Sequence, residues 1–198
     1  GIDEALERLR TTWIDLVHLH SCPREVLERG EVVRALDEAV RVGKVRCAAY
    51  SGEEEALLFA VRSGAFASVQ ASLNVCDQRV VRSGLAEARG RGMGFLAKRP
   101  LADAPWRFRE RPAGEEAEPY WLRLAAMGIG PGDLSWVDWA LRFSVFVPGV
   151  SAGLVGTSSI AHLEEAVRAV AKGPLPAGVQ EAIRSSFARS DDGWTGRI

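Results

Sequence analysis

Lysine is scarce in this chain. Only Lys44, Lys98 and Lys172 occur among 25 basic residues. Arginine supplies the rest, which reads first as coding bias and second as phosphate recognition. Charge of one sign is also lacking, since the formal net charge is −1. No field therefore draws in nucleic acid or an anionic membrane, and neither is expected as a partner. Cysteine is limited to Cys22, Cys47 and Cys76, with no C-x-x-C. That excludes a disulfide framework or a zinc site and fits a reducing, cytoplasmic setting. No apolar run is long enough to span a membrane, and no signal peptide is visible. No G-x-G-x-x-G turn follows any apolar run, which argues against a Rossmann unit. The first residue is Gly1 rather than Met, which reads as a processed, tagged or truncated start.

What is present is an ordinary globular balance of 47% hydrophobic and 26% charged residues over 198 positions. That length supports one domain with a sizeable core. The segment 13–20 is a short apolar run ending in His20, broken at once by Ser21-Cys22-Pro23. A helical pattern over 30–42 follows, then Gly43-Lys44 and a second run over 45–51. Strand, helix, strand, with polar residues at the strand C-termini, is the grammar of parallel α/β folds. The same grammar predicts strands at 68–74, 93–97 and 153–157. Helices are expected at 3–10, 53–63, 80–91, 120–127, 134–142, 160–171 and 179–187. A polar loop spans 102–119, and the polar stretch 188–198 has Trp194 as an anchor.

Five strands, each followed by a helix, fit either an open doubly wound sheet or part of a (β/α)₈ barrel. A whole barrel needs roughly 250 residues, so about three βα units are wanting. In either fold the chemistry sits at the strand C-termini. His20 ends the first strand, where an imidazole can donate a hydrogen bond or shuttle a proton; the alternative is a histidine satisfied by backbone. His18 shares its strand face by alternation, but no third metal ligand is apparent and no metal is expected. Ser51, Gln70 and Asn74 lie at or near strand ends, where hydroxyls and amides can fix a carboxamide or simply cap the strand. Lys98-Arg99 suits phosphate or carboxylate, or an ion pair with Asp103 or Glu110. Gly156-Thr157-Ser158-Ser159 precedes a helix, as phosphate-binding turns and plain N-caps both do. Glu53-Glu54-Glu55 reads as a solvated helix start. Trp13, Trp136 and Trp139 read as packing residues, and Trp106 as the tryptophan placed to meet a ligand.

In combination these motifs resemble the aldo-keto reductase family. The matching pieces occur in the family's order: Leu6-Glu7-Arg8-Leu9, then Ile14 to His20; Gly43-Lys44-Val45-Arg46, then Tyr50-Ser51; Gln70 with Leu73-Asn74; Lys98-Arg99-Pro100-Leu101; and Val155 to Ser159 with His162-Leu163. The resemblance implies strands 4–8 of a (β/α)₈ barrel, an incomplete barrel of about five βα units. It implies an extended nicotinamide dinucleotide, NADP(H) first and NAD(H) as the alternative, and a small-molecule aldehyde or ketone substrate. His20 matches the family's catalytic histidine. Ser51, Gln70, Lys98, Arg99, Leu101, Gly156, Thr157, Ser158, His162 and Glu165 match cofactor-contact positions. Gly52 stands where many members have asparagine, and His162 where an arginine often clamps the 2′-phosphate. The family's aspartate, tyrosine and lysine belong to segments before strand 4 and have no counterpart here, so this segment alone is expected to be inactive. Two readings follow: the C-terminal part of an NAD(P)H-dependent carbonyl reductase, or a non-catalytic truncated barrel that binds nucleotide or self-associates through exposed sheet edges. An open α/β hydrolase or transferase is disfavoured for want of a nucleophile elbow.

Overall fold

A computed structural model describes residues 1–197. Its centre is a parallel sheet: β1 (Ile14–His20), β2 (Val45–Ser51), β3 (Ser68–Ser72), β4 (Gly94–Lys98) and β5 (Ala152–Gly153), paired in chain order. Parallel neighbours need a crossover between them, and helices provide it. α1 (Ile2–Leu9) precedes β1. α2 (Arg24–Arg29) and α3 (Glu31–Arg41) link β1 to β2, and α4 (Glu54–Ser63) links β2 to β3. A π-helical turn, Val81–Leu85, runs into α5 (Ala86–Gly90) before β4. After β4 come a 3₁₀ turn at Pro105–Arg107, α6 (Glu118–Met127) and α7 (Trp136–Val145). α8 (Ile160–Ala171) and α9 (Ala177–Ser190) follow β5.

The expected strand order and direction hold, and four of the five strands lie within two residues of their expected bounds. The differences have local causes. β3 stops at Ser72 because Asn74 and Asp77 pair with each other in a tight turn. β5 has two ladder residues, since only Leu96 and Ala97 of β4 face it. The helix expected at 30–42 is preceded by a separate one, α2. Gly30 divides the two, its φ of 76° being open to a residue without a Cβ. The helix expected at 80–91 opens as a π turn. There Gly84 lies against α4: a Cβ would sit 2.8 Å from Leu57 Cδ2 and 3.3 Å from Val80 Cγ2. Leu57 is buried, so it has little room to yield. Gly84→Ala should therefore cost about 1–3 kcal/mol in urea unfolding; an unchanged midpoint would show that the turn can open.

The register sets two faces. Val17, Leu19, Tyr50, Val69, Ala71, Phe95 and Ala97 point outward, into one core with α2, α3, α4 and α5. His20 pairs with Ser51, Ser51 with Gln70, and Gln70 with Leu96. By strand alternation His18, His20, Ser51, Ser68, Gln70, Ser72 and Lys98 share the inner face. A second core joins α6, α7 and α9 around Tyr120, Trp139 and Ile183. Among the described residues β1 and β5 each keep one unpaired edge, so the sheet is not closed into a barrel. No helix among the described residues is long and apolar enough to cross a membrane.

Candidate active site

The C-terminal strand ends hold a polar row. His20 is exposed at the end of β1, and its Nδ1 lies 3.2 Å from Ser21 Oγ. Ser21 adopts φ 52°, and its N–H donates to Ser51 O at 2.7 Å, which ties the β1 end to β2. One strand over, Gln70 Nε2 donates to Ser51 Oγ at 3.2 Å. His18 lies one step below His20. Its Nε2 is buried without a partner, as is Ser68 Oγ, also on the inner face. Burial, followed by the charge of His20, lowers the His18 pKa from its ordinary value.

Lys98 and Arg99 part company at the end of β4. Lys98 turns to a buried carboxylate, Glu53, at 3.1 Å. The same carboxylate accepts Ser72 N–H at 2.8 Å. One side chain thus ties the end of β4 to the end of β3 from just beyond β2. Burial raises the Glu53 pKa, against the pull of Lys98 and Ser72. Glu53 is therefore not the solvated helix start that the acidic run suggests: its side chain is only 6% exposed. Arg99, at φ 52°, meets Asp103 at 3.4 Å, one of the two ion-pair partners considered for Lys98-Arg99. Asn74 serves the backbone, accepting from Cys76 N at 2.9 Å and donating to Arg99 O at 3.1 Å.

Beyond β4 the chain enters a left-handed turn in which Ala102, Asp103 and Ala104 have φ of 50°, 57° and 49°. Each such residue costs roughly 1–2 kcal/mol, and strain of this kind gathers at ligand clamps. The turn forms one wall of an open cleft of about 920 Å³. Arg99, Leu101, Gly156, Thr157, His162 and Glu165 all line it. Trp106 also lines it, stacked on Trp136 with ring centroids 5.2 Å apart. Thr157 and Ser159 are engaged locally: Thr157 Oγ1 accepts Ser159 N–H at 3.0 Å, and Ser159 caps α8 through His162 N–H at 3.4 Å.

The candidate residues thus form two adjoining groups. His20, Ser51, Gln70 and Lys98 lie along the strand ends. Arg99, Leu101, Gly156, Thr157, His162 and Glu165 line the cleft, with Ser158 beside it in sequence but not on its wall. The step from Lys98 to Arg99 joins the groups. Sequence reasoning missed a buried cluster beneath them. There Asp77 meets Arg123 at 3.6 Å and Tyr120 Oη at 3.4 Å. Alternation from Gln70 would have marked Ser72 as inward-facing, and Glu53 as its neighbour beyond β2; nothing in the sequence pattern signals Arg123. The pentapeptide Gly149-Val150-Ser151-Ala152-Gly153 does spell G-x-S-x-G, but it enters β5 instead of leaving a strand. Ser151 Oγ accepts Phe95 N–H at 3.2 Å.

Comparison with known proteins supplies the frame. The chain is similar to L-galactose dehydrogenase of Arabidopsis thaliana, with 26% identity over 180 residues. The alignment covers 86% of this chain and 56% of that protein, so the chain spans little more than half the length of this relative. The fold resembles an aldo-keto reductase from Bacillus halodurans in its apo form, with a TM-score of 0.80 at 22% identity. The holo form gives 0.78 at 23% identity. These superpositions cover 93% of this chain and 66% and 65% of the others. The profile of the Aldo/keto reductase family matches residues 1–187, and the chain belongs to that family.

Proposed function

We propose that this chain is the dinucleotide-binding, histidine-bearing part of an NAD(P)H-dependent oxidoreductase that reduces aldehydes or ketones to alcohols. The observation that supports it best is the cleft shared by Arg99, Leu101, Gly156, Thr157, His162 and Glu165, joined through Lys98 to the strand ends. Its size suits a cofactor. Arg99, Arg107 and the N-terminal turn of α8 offer a pyrophosphate cations and N–H groups on a wall that also carries Asp103, Glu116 and Glu165. NADP(H) comes first by the family resemblance, with NAD(H) as the alternative because His162 replaces a permanent charge.

A nicotinamide dinucleotide, when bound, supplies a hydride to the carbonyl carbon. The chain's own residues bind and orient. Ser51 Oγ receives Gln70 Nε2, which leaves Gln70 Oε1 and the Ser51 proton to meet a carboxamide. His20 has Nδ1 beside Ser21 Oγ, leaving Nε2 for the substrate oxygen. The imidazole there donates a hydrogen bond to the carbonyl and orients it. Proton delivery to the developing alkoxide typically supplies about 10²–10⁴-fold, and on this row His20 would have to give it without the tyrosine and lysine that the family resemblance calls for.

Titration of the 198-residue chain with NADPH, followed by tryptophan fluorescence, tests the binding half. Gly156→Trp should weaken binding at least about tenfold; equal affinity would place the dinucleotide elsewhere. The chain alone should show no appreciable turnover of an aromatic aldehyde, whereas a longer parent should be impaired by His20→Ala. The second reading, a self-associating binding module, rests on the unpaired edges of β1 and β5 and on an apolar stripe along α8. Ile160, Leu163 and Val167 of that stripe are 77%, 50% and 61% exposed. Sedimentation showing stable dimers that bind NADPH, from a parent without reductase activity, would favour it.

A further inference from the structure

Residues 191–197 run back across the C-terminal ends of β3 and β4, and side chains from four segments hold them there. The Asp191 carboxylate pairs with Arg79 at 2.7 Å and accepts Trp194 N–H at 3.0 Å. The Trp194 ring meets Phe187 edge-on at 5.6 Å and lies 5.4 Å from the Arg123 guanidinium. Arg123 Nη2 donates to Thr195 O at 2.7 Å. Gly196 then rests on Glu53, so close that a Cβ would overlap the carboxylate. That carboxylate is pinned by Ser72 N–H and Lys98 and has no easy way to yield.

The last contact is of a different kind. Two donors converge on one oxygen, the carbonyl of Arg197: Arg99 Nη1 at 2.7 Å and Ser72 Oγ at 3.0 Å. Ser72 is fully buried on the inner face beside Gln70, and Arg99 lines the cleft. Donors so placed bind an anionic oxygen more strongly than a peptide oxygen, because hydrogen bonds to an ionised acceptor are roughly twice as strong. Two of the nearby carboxylates have cations of their own, Glu53 with Lys98 and Asp77 with Arg123, whereas Asp103 draws on Arg99 itself at 3.4 Å and competes with an anion for that charge.

We propose that Ser72 and Arg99 form an oxyanion subsite for one oxygen of a phosphate or carboxylate ligand, and that residues 195–197 fill it with the Arg197 carbonyl. The backbone there acts as an internal competitor, and an anion binds by lifting it. This deepens the dinucleotide reading and rests on it for one of the two sources, since a pyrophosphate brings such an oxygen and so does a substrate carboxylate.

Calorimetric titration with inorganic pyrophosphate and with oxalate, at constant ionic strength, tests it on three proteins. These are the 198-residue chain, a chain stopped before Thr195, and Gly196→Val, which lifts the backbone off Glu53 without shortening it. At least one anion should bind about tenfold tighter to both variants than to the unaltered chain. Arg99→Ala in the shortened chain should abolish that gain. Gain with pyrophosphate alone identifies the phosphate source, and gain with oxalate alone the carboxylate source. Equal or weaker binding to Gly196→Val, with its circular dichroism unchanged, overturns the subsite. If pyrophosphate gains while NADPH binds none of the three, the subsite stands and the dinucleotide reading falls.

Discussion

Glu53→Ala should lower the unfolding free energy by about 3–5 kcal/mol, the usual cost of stranding one partner of a buried ion pair. The Glu53 and Lys98 side chains are 6% and 10% exposed. Removing the carboxylate leaves the Lys98 ammonium in a poorly solvated site and Ser72 N–H without its acceptor. The raised pKa of Glu53 adds a second expectation. It means that burial outweighs the attraction of Lys98, so the pair as a whole is a weak stabiliser. Glu53→Met combined with Lys98→Met should therefore recover most of the loss. Glu53→Gln should fall between, because an amide oxygen can still accept Ser72 N–H. Urea unfolding of the three variants beside the unaltered chain checks this. A loss below about 1 kcal/mol in Glu53→Ala would show that water reaches Lys98.

The strands were legible because parallel strands buried against helices leave short, bounded apolar runs. His20, Ser51 and Gln70 could be placed at or near strand ends from the bounds of the apolar runs, and the register His20 to Ser51 to Gln70 puts them on one face. Lys98 shows where such reasoning stops. Its position at a strand end was right, but its charge answers a carboxylate that linear order assigned to a solvated helix start. The acidic run Glu53-Glu54-Glu55 looks uniform in sequence, yet its three members differ in the structure. Glu53 lies before the first turn of α4 and points back over the strand ends, while Glu54 and Glu55 face water.

The cleft was legible in part. Resemblance gathered Arg99, Leu101, Gly156, Thr157, His162 and Glu165, but the left-handed turn at 102–104 has no signature, since alanine and aspartate rarely adopt that backbone. The polar stretch 188–198 suggested only an anchor at Trp194. Its path over Ser72 and Glu53 depends on Arg123, a residue of α6 whose helical pattern does not set it apart. Contacts between segments this distant in sequence leave no local trace, whereas alternation along a strand does.

Stability should fall as pH rises from about 4 to about 7, with Asp77 the main cause. Asp77 is 3% exposed. Burial pushes its carboxyl up from 3.8 to about 7, the Glu53 charge adds to the rise, and Arg123 and Tyr120 oppose it. Between those two values the folded chain holds a proton that the unfolded chain has released. The unfolded state then binds fewer protons, so unfolding free energy declines with pH. The stabilisation is full below the unfolded value and is lost as pH passes the folded one, on the order of 4 kcal/mol in all. Glu53, also raised, acts in the same direction. The carboxylates of exposed Glu38 and of half-buried Glu87 and Glu118 are lowered by their arginine or backbone partners and act oppositely, below their ordinary range; screening keeps such surface pairs weak. Asp77→Asn keeps an acceptor for the Tyr120 hydroxyl and removes the titration. Its unfolding free energy should therefore vary much less than that of the unaltered chain between pH 4 and 7. The same slope in both proteins would assign the loss to other groups and leave Asp77 ionised beside Arg123 across that range.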